Sequence, residues 1–226
     1  MRKFPKIIKK RTENQLIKSF IDHFEKAISR SNQKNKRFSF VLTGGNSPKR
    51  LYRKLSYSIK NWKNVDFFWG DERIVSKRSR NSNYNLANRL LFKNNKIGKK
   101  QIFSIKTNLK DISLIARNYE NNIKDYFKNN LKSFDLIILG MGNDGHIASI
   151  FFNDKKIRNK SLVRGIIRKD FFRVTLGIDL INKSKRIWLW LPSRKKTNIY
   201  NKFKNKKDIP VSLLNKKKLK IFSIQR

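Results

Sequence analysis

The sequence predicts an α/β protein with an open, doubly wound, mostly parallel sheet and helices on both faces, folded as a single domain over residues 1–226. Three observations carry that expectation. Short apolar runs alternate with helical stretches long enough to serve as right-handed βαβ crossovers. One run, residues 134–139 (FDLIIL), is apolar but for Asp135 and ends in glycine, as befits a strand buried on both faces of a parallel sheet. Several runs end in glycine-containing loops, the places beyond the strand ends where such sheets bind ligands.

The elements follow in order. Residues 12–32 carry Leu16, Ile17, Phe20, Ile21, Phe24, Ala27 and Ile28 at three- and four-residue spacings, an amphipathic helix with Thr12 as its N-cap. Residues 38–43 (FSFVLT) form a strand that runs into Gly44-Gly45, after which Ser47-Pro48 opens a helix with proline in its first position. Residues 65–69 repeat the strand signal, 81–92 predict a helix, 101–105 a short strand and 112–130 a long helix. Residues 172–176, 186–191 and 219–224 are expected as three further strands. There is no internal repeat and no Pro/Gly/Ser-rich linker.

Composition excludes several function classes. The chain has no cysteine, so disulfides, thiolate metal sites and a catalytic thiol are ruled out and a reduced, cytoplasmic setting is expected. The basic segment at residues 1–11 precedes no uninterrupted apolar stretch, and nothing later approaches the roughly 20 apolar residues that span a bilayer, so neither secretion nor a membrane partner is expected. The formal net charge of +41 would suit a polyanion binder. Its Lys and Arg, however, are scattered through every loop and helix face rather than gathered in a stripe interleaved with aromatics, and abundant Asn and Ile beside them point to compositional drift. No specific nucleic-acid partner is expected, although the field would draw small anions such as sugar phosphates.

Three loops follow predicted strands. In the first, Gly44-Gly45-Asn46-Ser47-Pro48, two glycines allow a tight turn before a helix, which suits a phosphate cradle and equally a plain strand-to-helix turn capped by Ser47. The second, Trp69-Gly70-Asp71-Glu72-Arg73, sets two carboxylates beside a guanidinium that could grip a phosphate or carboxylate, or else forms a solvated loop of internal salt bridges. The third, Gly140-Met141-Gly142-Asn143-Asp144-Gly145-His146, places a carboxylate two residues before a histidine that it could orient as a base. His23, on the first helix, is expected to be exposed or capping. Neither G-x-G-x-x-G at the first strand nor the G-K-[ST] ending of a P-loop is present.

Together these segments resemble the 6-phosphogluconolactonase family, which usually reads GGSTP, WGDER and GMGPDGHTASLFP in the three loops, where this chain has GGNSP, WGDER and GMGNDGHIASIFF. NSNY at 81–84 stands for the family's DSNY, RVT at 173–175 for RIT, and residues 187–196 for VWFLVTGAEK, so the resemblance runs from about Phe40 to Pro210. Asn46-Ser47, Asn143, Ile147, Phe152 and Pro192-Ser193 depart from the pattern. The related glucosamine-6-phosphate deaminase/isomerase family has GDGHIAFNEP in the third loop, with a catalytic glutamate. Ile147-Ala148 agree with that version, but Phe151 occupies the glutamate's position.

The resemblance implies a Rossmann-like, glucosamine-6-phosphate deaminase-like fold and hydrolysis of 6-phospho-D-glucono-1,5-lactone in the oxidative pentose phosphate pathway, with no metal or organic cofactor. Gly44, Gly45 and Asn46, with Arg173 and Lys196, would hold the substrate's phosphate, assisted by Arg73. His146, oriented by Asp144, would be the general base, Asp71 would bind sugar hydroxyls or the attacking water, and backbone amides of the glycine-rich third loop would stabilise the oxyanion. A monomer or homodimer is expected. The alternatives are a deaminase-like sugar-phosphate enzyme and a non-catalytic polyanion-binding protein on the same fold.

Overall fold

The computed structural model describes residues 5–109, 111–128, 133–152, 154, 157 and 161–225. In chain order the first half comprises β1 (Lys6–Lys10), α1 (Glu13–Asn32), β2 (Phe38–Leu42), α2 (Lys49–Ser58), β3 (Val65–Trp69), β4 (Asp71–Arg73), α3 (Asn83–Ala87) and α4 (Ile112–Tyr126). The second half comprises β5 (Leu136–Leu139), β6 (Val163–Ile166), β7 (Arg173–Leu176), α5 (Ile178–Lys183), β8 (Ile187–Leu191), α6 (Arg194–Phe203) and β9 (Leu219–Ile224).

Six strands form one sheet in the order β1-β9-β8-β5-β2-β3, and every neighbouring pair in it is parallel. Because β2 leads outward to β3 while β5 leads the other way to β8 and β9, the topological switch point lies between β2 and β5. Right-handed crossovers accordingly put α1 and α2 on one face and α4, α5 and α6 on the other. The loops that leave β2 and β5 at this crevice are the first and third of the sequence analysis.

Helix α1 forms as its sequence demands. Thr12 Oγ1 accepts from Gln15 N and Gln15 Oε1 accepts from Thr12 N, closing a capping box. Its apolar stripe packs on the sheet, with Phe20 4.8 Å from Trp188 and 5.1 Å from Phe222 between ring centroids. His23 is half-buried rather than exposed, edge-on to the same two rings, with Nδ1 2.7 Å from Ser19 O.

Four expectations are corrected. Helix α2 begins at Lys49, so Pro48 is its N-cap rather than its first residue, and no side chain caps it. Residues 101–105 form no strand: Gln101 ends a 3₁₀ turn, its side chain donates to Trp62 O and Val65 O, and only Ile102 bridges to Phe67. Helix α4 ends at Tyr126, ahead of Lys128 in the left-handed region (φ 51°), while residues 129–130 lie outside the described residues. The run at 172–176 becomes β7 of a separate antiparallel sheet, β4-β7-β6, and not a parallel strand. That small sheet is joined to the end of β3 by hydrogen bonds of Gly70 N to Leu42 O and Leu176 N to Gly70 O, both 2.9 Å, so it rises as a wall beside the crevice. Both sheets share one hydrophobic cluster that reaches from Leu16 to Ile224.

Candidate active site

The first loop is pinned at both ends. Tyr52 of α2 is buried with its hydroxyl accepting from Thr43 N (2.9 Å) and donating to Thr43 O (2.6 Å), and Trp190 Nε1 donates to Ser47 O (3.0 Å). Gly45 needs its glycine backbone freedom, at φ +81°. Gly44 needs the absence of a side chain, because a Cβ there would lie 1.8 Å from Asn83 Oδ1. Among the described residues the backbone amides of Gly44, Gly45, Asn46 and Ser47 donate to no other backbone group, which leaves them open to an anionic ligand.

In the second loop, strand alternation parts the two carboxylates that the sequence sets side by side. Asp71 turns toward the crevice, where Ser149 Oγ donates to its Oδ2 (2.6 Å) and Asn83 Nδ2 reaches its carbonyl oxygen (2.9 Å) and its Oδ1 (3.3 Å). Glu72 turns away into the protein and accepts from Arg73 N, Asn83 N, Tyr84 N and Ser82 Oγ, all within 3.0 Å. Burial pushes the Glu72 carboxyl up from its ordinary range against the pull of those bonds. Glu72 is therefore a brace for residues 82–84, and Arg73, on the cavity side, donates from Nη1 to Asn81 O (2.8 Å).

The third loop closes on itself. Gly142 N donates to His146 O (2.8 Å), which lays the imidazole over Gly142, and Nδ1 of His146 lies 2.6 Å from Asp144 Oδ1. Burial would raise the Asp144 carboxyl, but the His146 charge and the hydrogen bonds from His146 outweigh it and hold Asp144 below the usual carboxylate range. An ionised Asp144 can only accept, so Nδ1 carries a proton, and whenever the ring is neutral the lone pair is on Nε2. The third-loop glycine amides are engaged within the protein: Gly140 N donates to Thr43 Oγ1 (3.2 Å), Gly142 N to His146 O and Gly145 N to Gly142 O (3.3 Å). The turn that positions His146 thus uses the glycine amides, while the amides of Met141 and Asn143 in the same loop donate to no backbone group among the described residues.

Lys196, in the first turn of α6, donates from Nζ to Met141 O (2.7 Å) and to Asn143 Oδ1 (3.1 Å), so the residue that departs from the family's proline tethers a cation to the loop. Burial, then neighbouring Lys195, lowers the Lys196 amine, opposed by Asp144. Arg173 on β7 is buried and grips Asp170 through two hydrogen bonds of 2.8 and 2.5 Å, and that guanidinium depresses the Asp170 carboxyl far below its ordinary value.

A cavity of about 510 Å³ at the switch point gathers these groups: Gly44, Gly45, Asn46, Asp71, Arg73, His146, Arg173 and Lys196 all line it, and Asp144 stands behind His146 as its partner. Three residues that sequence reasoning gave no role also belong here. Asn83 and Ser149 hold Asp71, and Thr175 Oγ1 accepts from Ser149 N (3.2 Å). Asn83 and Thr175 lie within the NSNY and RVT segments, so motif position was the one available signal for them.

A parallel sheet with a sugar-phosphate-sized cavity at its switch point, a carboxylate-held histidine and an open glycine turn defines a class of sugar-phosphate enzymes, and the comparisons agree. The chain belongs to the family described as glucosamine-6-phosphate isomerases/6-phosphogluconolactonase, whose model matches residues 11–223. Several of its relatives in that family are named 6-phosphogluconolactonases. It is 33% identical over 153 residues to a 6-phosphogluconolactonase of Synechocystis, covering 66% of this chain and 64% of that protein. It is 30% identical over 208 residues to a probable 6-phosphogluconolactonase of Dictyostelium discoideum, covering 89% and 86%. The crystal structure of 6-phosphogluconolactonase from Thermotoga maritima superposes with a TM-score of 0.86 at 26% identity, over 98% of this chain and 99% of that one.

Proposed function

We propose that the chain hydrolyses 6-phospho-D-glucono-1,5-lactone to 6-phospho-D-gluconate, with His146 as general base. The observation that carries the reading is the Asp144–His146 pair: Nδ1 is held at 2.6 Å by an ionised carboxylate, and Nε2 makes no hydrogen bond among the described residues. Nε2 takes a proton from water as the water oxygen adds to C1. The C1–O5 bond then breaks, and the imidazolium returns its proton to the departing ring oxygen, so one residue serves as base and then as acid. Asp144 keeps the ring oriented and stabilises its charged form.

The substrate's phosphate is assigned to the open amides of Gly44, Gly45 and Asn46, with Arg173, Lys196 and Arg73 supplying positive charge. Asp71 has its carboxylate fixed by Ser149 and Asn83 and offers remaining lone pairs to sugar hydroxyls or to the attacking water. Phe151 favours lactone hydrolysis over deamination: at the deaminase glutamate's position it offers no acid or base and lies 4.6 Å from the His146 ring.

General-base assistance is worth about 10² to 10⁴ in rate. His146→Ala is therefore expected to lose that factor in kcat while still binding 6-phosphogluconate, measured by a coupled assay corrected for spontaneous opening of the lactone. Turnover close to that of the unmodified protein would overturn the assignment.

A further inference from the structure

Beside the Gly45–Asn46 turn lies a second cavity of about 310 Å³, lined by Gly45, Asn46, Lys49, Arg73, Arg80 and Arg89 among others, with no carboxylate in its wall. Elsewhere in the molecule guanidinium groups meet carboxylates: Arg37 meets Asp66, Arg50 meets Glu13 and Arg173 meets Asp170. Lys49, Arg80 and Arg89 have no such partner among the described residues. Arg73 uses Nη1 on Asn81 O, but its Nε is buried without any hydrogen-bond partner. Cations that converge on a partly enclosed space repel one another, and a multiply charged oxyanion relieves that repulsion while accepting charge-assisted hydrogen bonds.

We propose that this cavity is a second anion site that takes a phosphate-type oxyanion, separate from the phosphate of the sugar substrate, and that both sites can be filled at once. Gly45, Asn46 and Arg73 line both cavities, so an anion here sits next to the substrate's binding loop. The chemistry fits inorganic phosphate or the phosphate of another small metabolite. A phosphate group of the bound product itself is the competing source, and the test separates the two.

The test is calorimetric titration with inorganic phosphate, with and without saturating 6-phosphogluconate. The unmodified protein is expected to retain one phosphate site when product is bound. The double variant Arg80→Ala/Arg89→Ala, both exposed positions, should weaken that site by about tenfold or more and leave product affinity unchanged. Lys216→Ala/Lys217→Ala removes the same charge just before β9, at the opposite end of the sheet, and should change phosphate affinity by no more than about twofold. The proposal is overturned if product displaces all phosphate, if the two double variants weaken binding equally, or if no phosphate binds. The phosphate arm alone reads the site, so failure of the lactonase reading would leave it intact.

Discussion

Replacing Gly142 with alanine should disable the candidate base without touching it. A Cβ at this position would lie 2.1 Å from His146 Nδ1, 2.2 Å from its Cε1 and 2.6 Å from Asp144 Oδ1. Ordinary contact begins near 3.4 Å, so the imidazole must retreat by more than about 1 Å, and the 2.6 Å hydrogen bond to Asp144 cannot survive in place. A displacement of about 1 Å at a reacting group costs on the order of 10²-fold in rate. Gly142→Ala is therefore expected to lower kcat about 10²-fold with a much smaller effect on 6-phosphogluconate affinity, since of the assigned phosphate contacts only Lys196 is tethered to this loop. Initial rates of lactone hydrolysis, with the spontaneous reaction subtracted, read kcat, and calorimetry reads product binding. Gly140→Ala, in the same loop, is the control: its Cβ would meet Thr43 Oγ1 at 3.6 Å, an ordinary contact, and activity should persist. A folded Gly142→Ala protein with kcat within about threefold of the original would refute the idea that the ring's seat on Gly142 sets the geometry.

Arg173→Ala and Lys196→Ala should each raise KM for the lactone by about tenfold or more with a smaller effect on kcat, and an unchanged KM in initial-rate measurements would move the phosphate elsewhere. Glu72→Ala strands the buried donors of Arg73, Ser82, Asn83 and Tyr84 and should lower urea-unfolding stability by on the order of 3 kcal/mol. Burial, then Lys6, Arg186 and Arg30, push the Lys220 amine down to about 8, so the folded state sheds this proton before the unfolded chain does and stability should rise as pH climbs from about 8 toward the ordinary lysine range. Lys220→Met should abolish that rise and, discounted for solvent screening, gain on the order of 0.5 kcal/mol at neutral pH in thermal melts.

The central strands were legible because burial on both faces leaves a local mark: β2, β3, β5 and β8 are buried at every residue and read as apolar runs. β1 left no such mark. It is an edge strand, KIIKK, largely open to solvent, and its pairing with β9 depends on a partner more than two hundred residues away. β4 and β6 were missed for a related reason, since DER reads as charged loop, VRGI is short and broken by glycine, and both become strands only against β7. Helix α6 buries only Tyr200, and its Lys/Asn-rich surface hides the period. In the site, charged and glycine residues announced themselves by type and by position after a strand. Ser149 and Asn83 did not, because a neutral hydroxyl or amide acquires its role only through a contact such as Ser149 to Asp71, 78 residues apart.

That distinction explains how the site coexists with 56 basic residues against 15 acidic ones. The three loops are fastened mainly by hydrogen bonds from uncharged donors: Gly140 N on Thr43 Oγ1 joins the third loop to the first, Asn83 packs Gly44 against Asp71, and Ser149 ties the third loop to Asp71 and Thr175. Of the ion pairs at the cavity, Asp144–His146 orients the base and Arg173–Asp170 holds a cation on the wall, while none of these loop ties is an ion pair. Surface lysines can therefore accumulate without moving the reacting groups. Their summed field acts at longer range, on the capture of an anionic substrate, and that contribution weakens with salt over a Debye length of about 8 Å at physiological ionic strength. Removing scattered lysines should slow capture at low salt and leave kcat alone, whereas removing Thr43 Oγ1, Asn83 or Ser149 should change kcat at any salt.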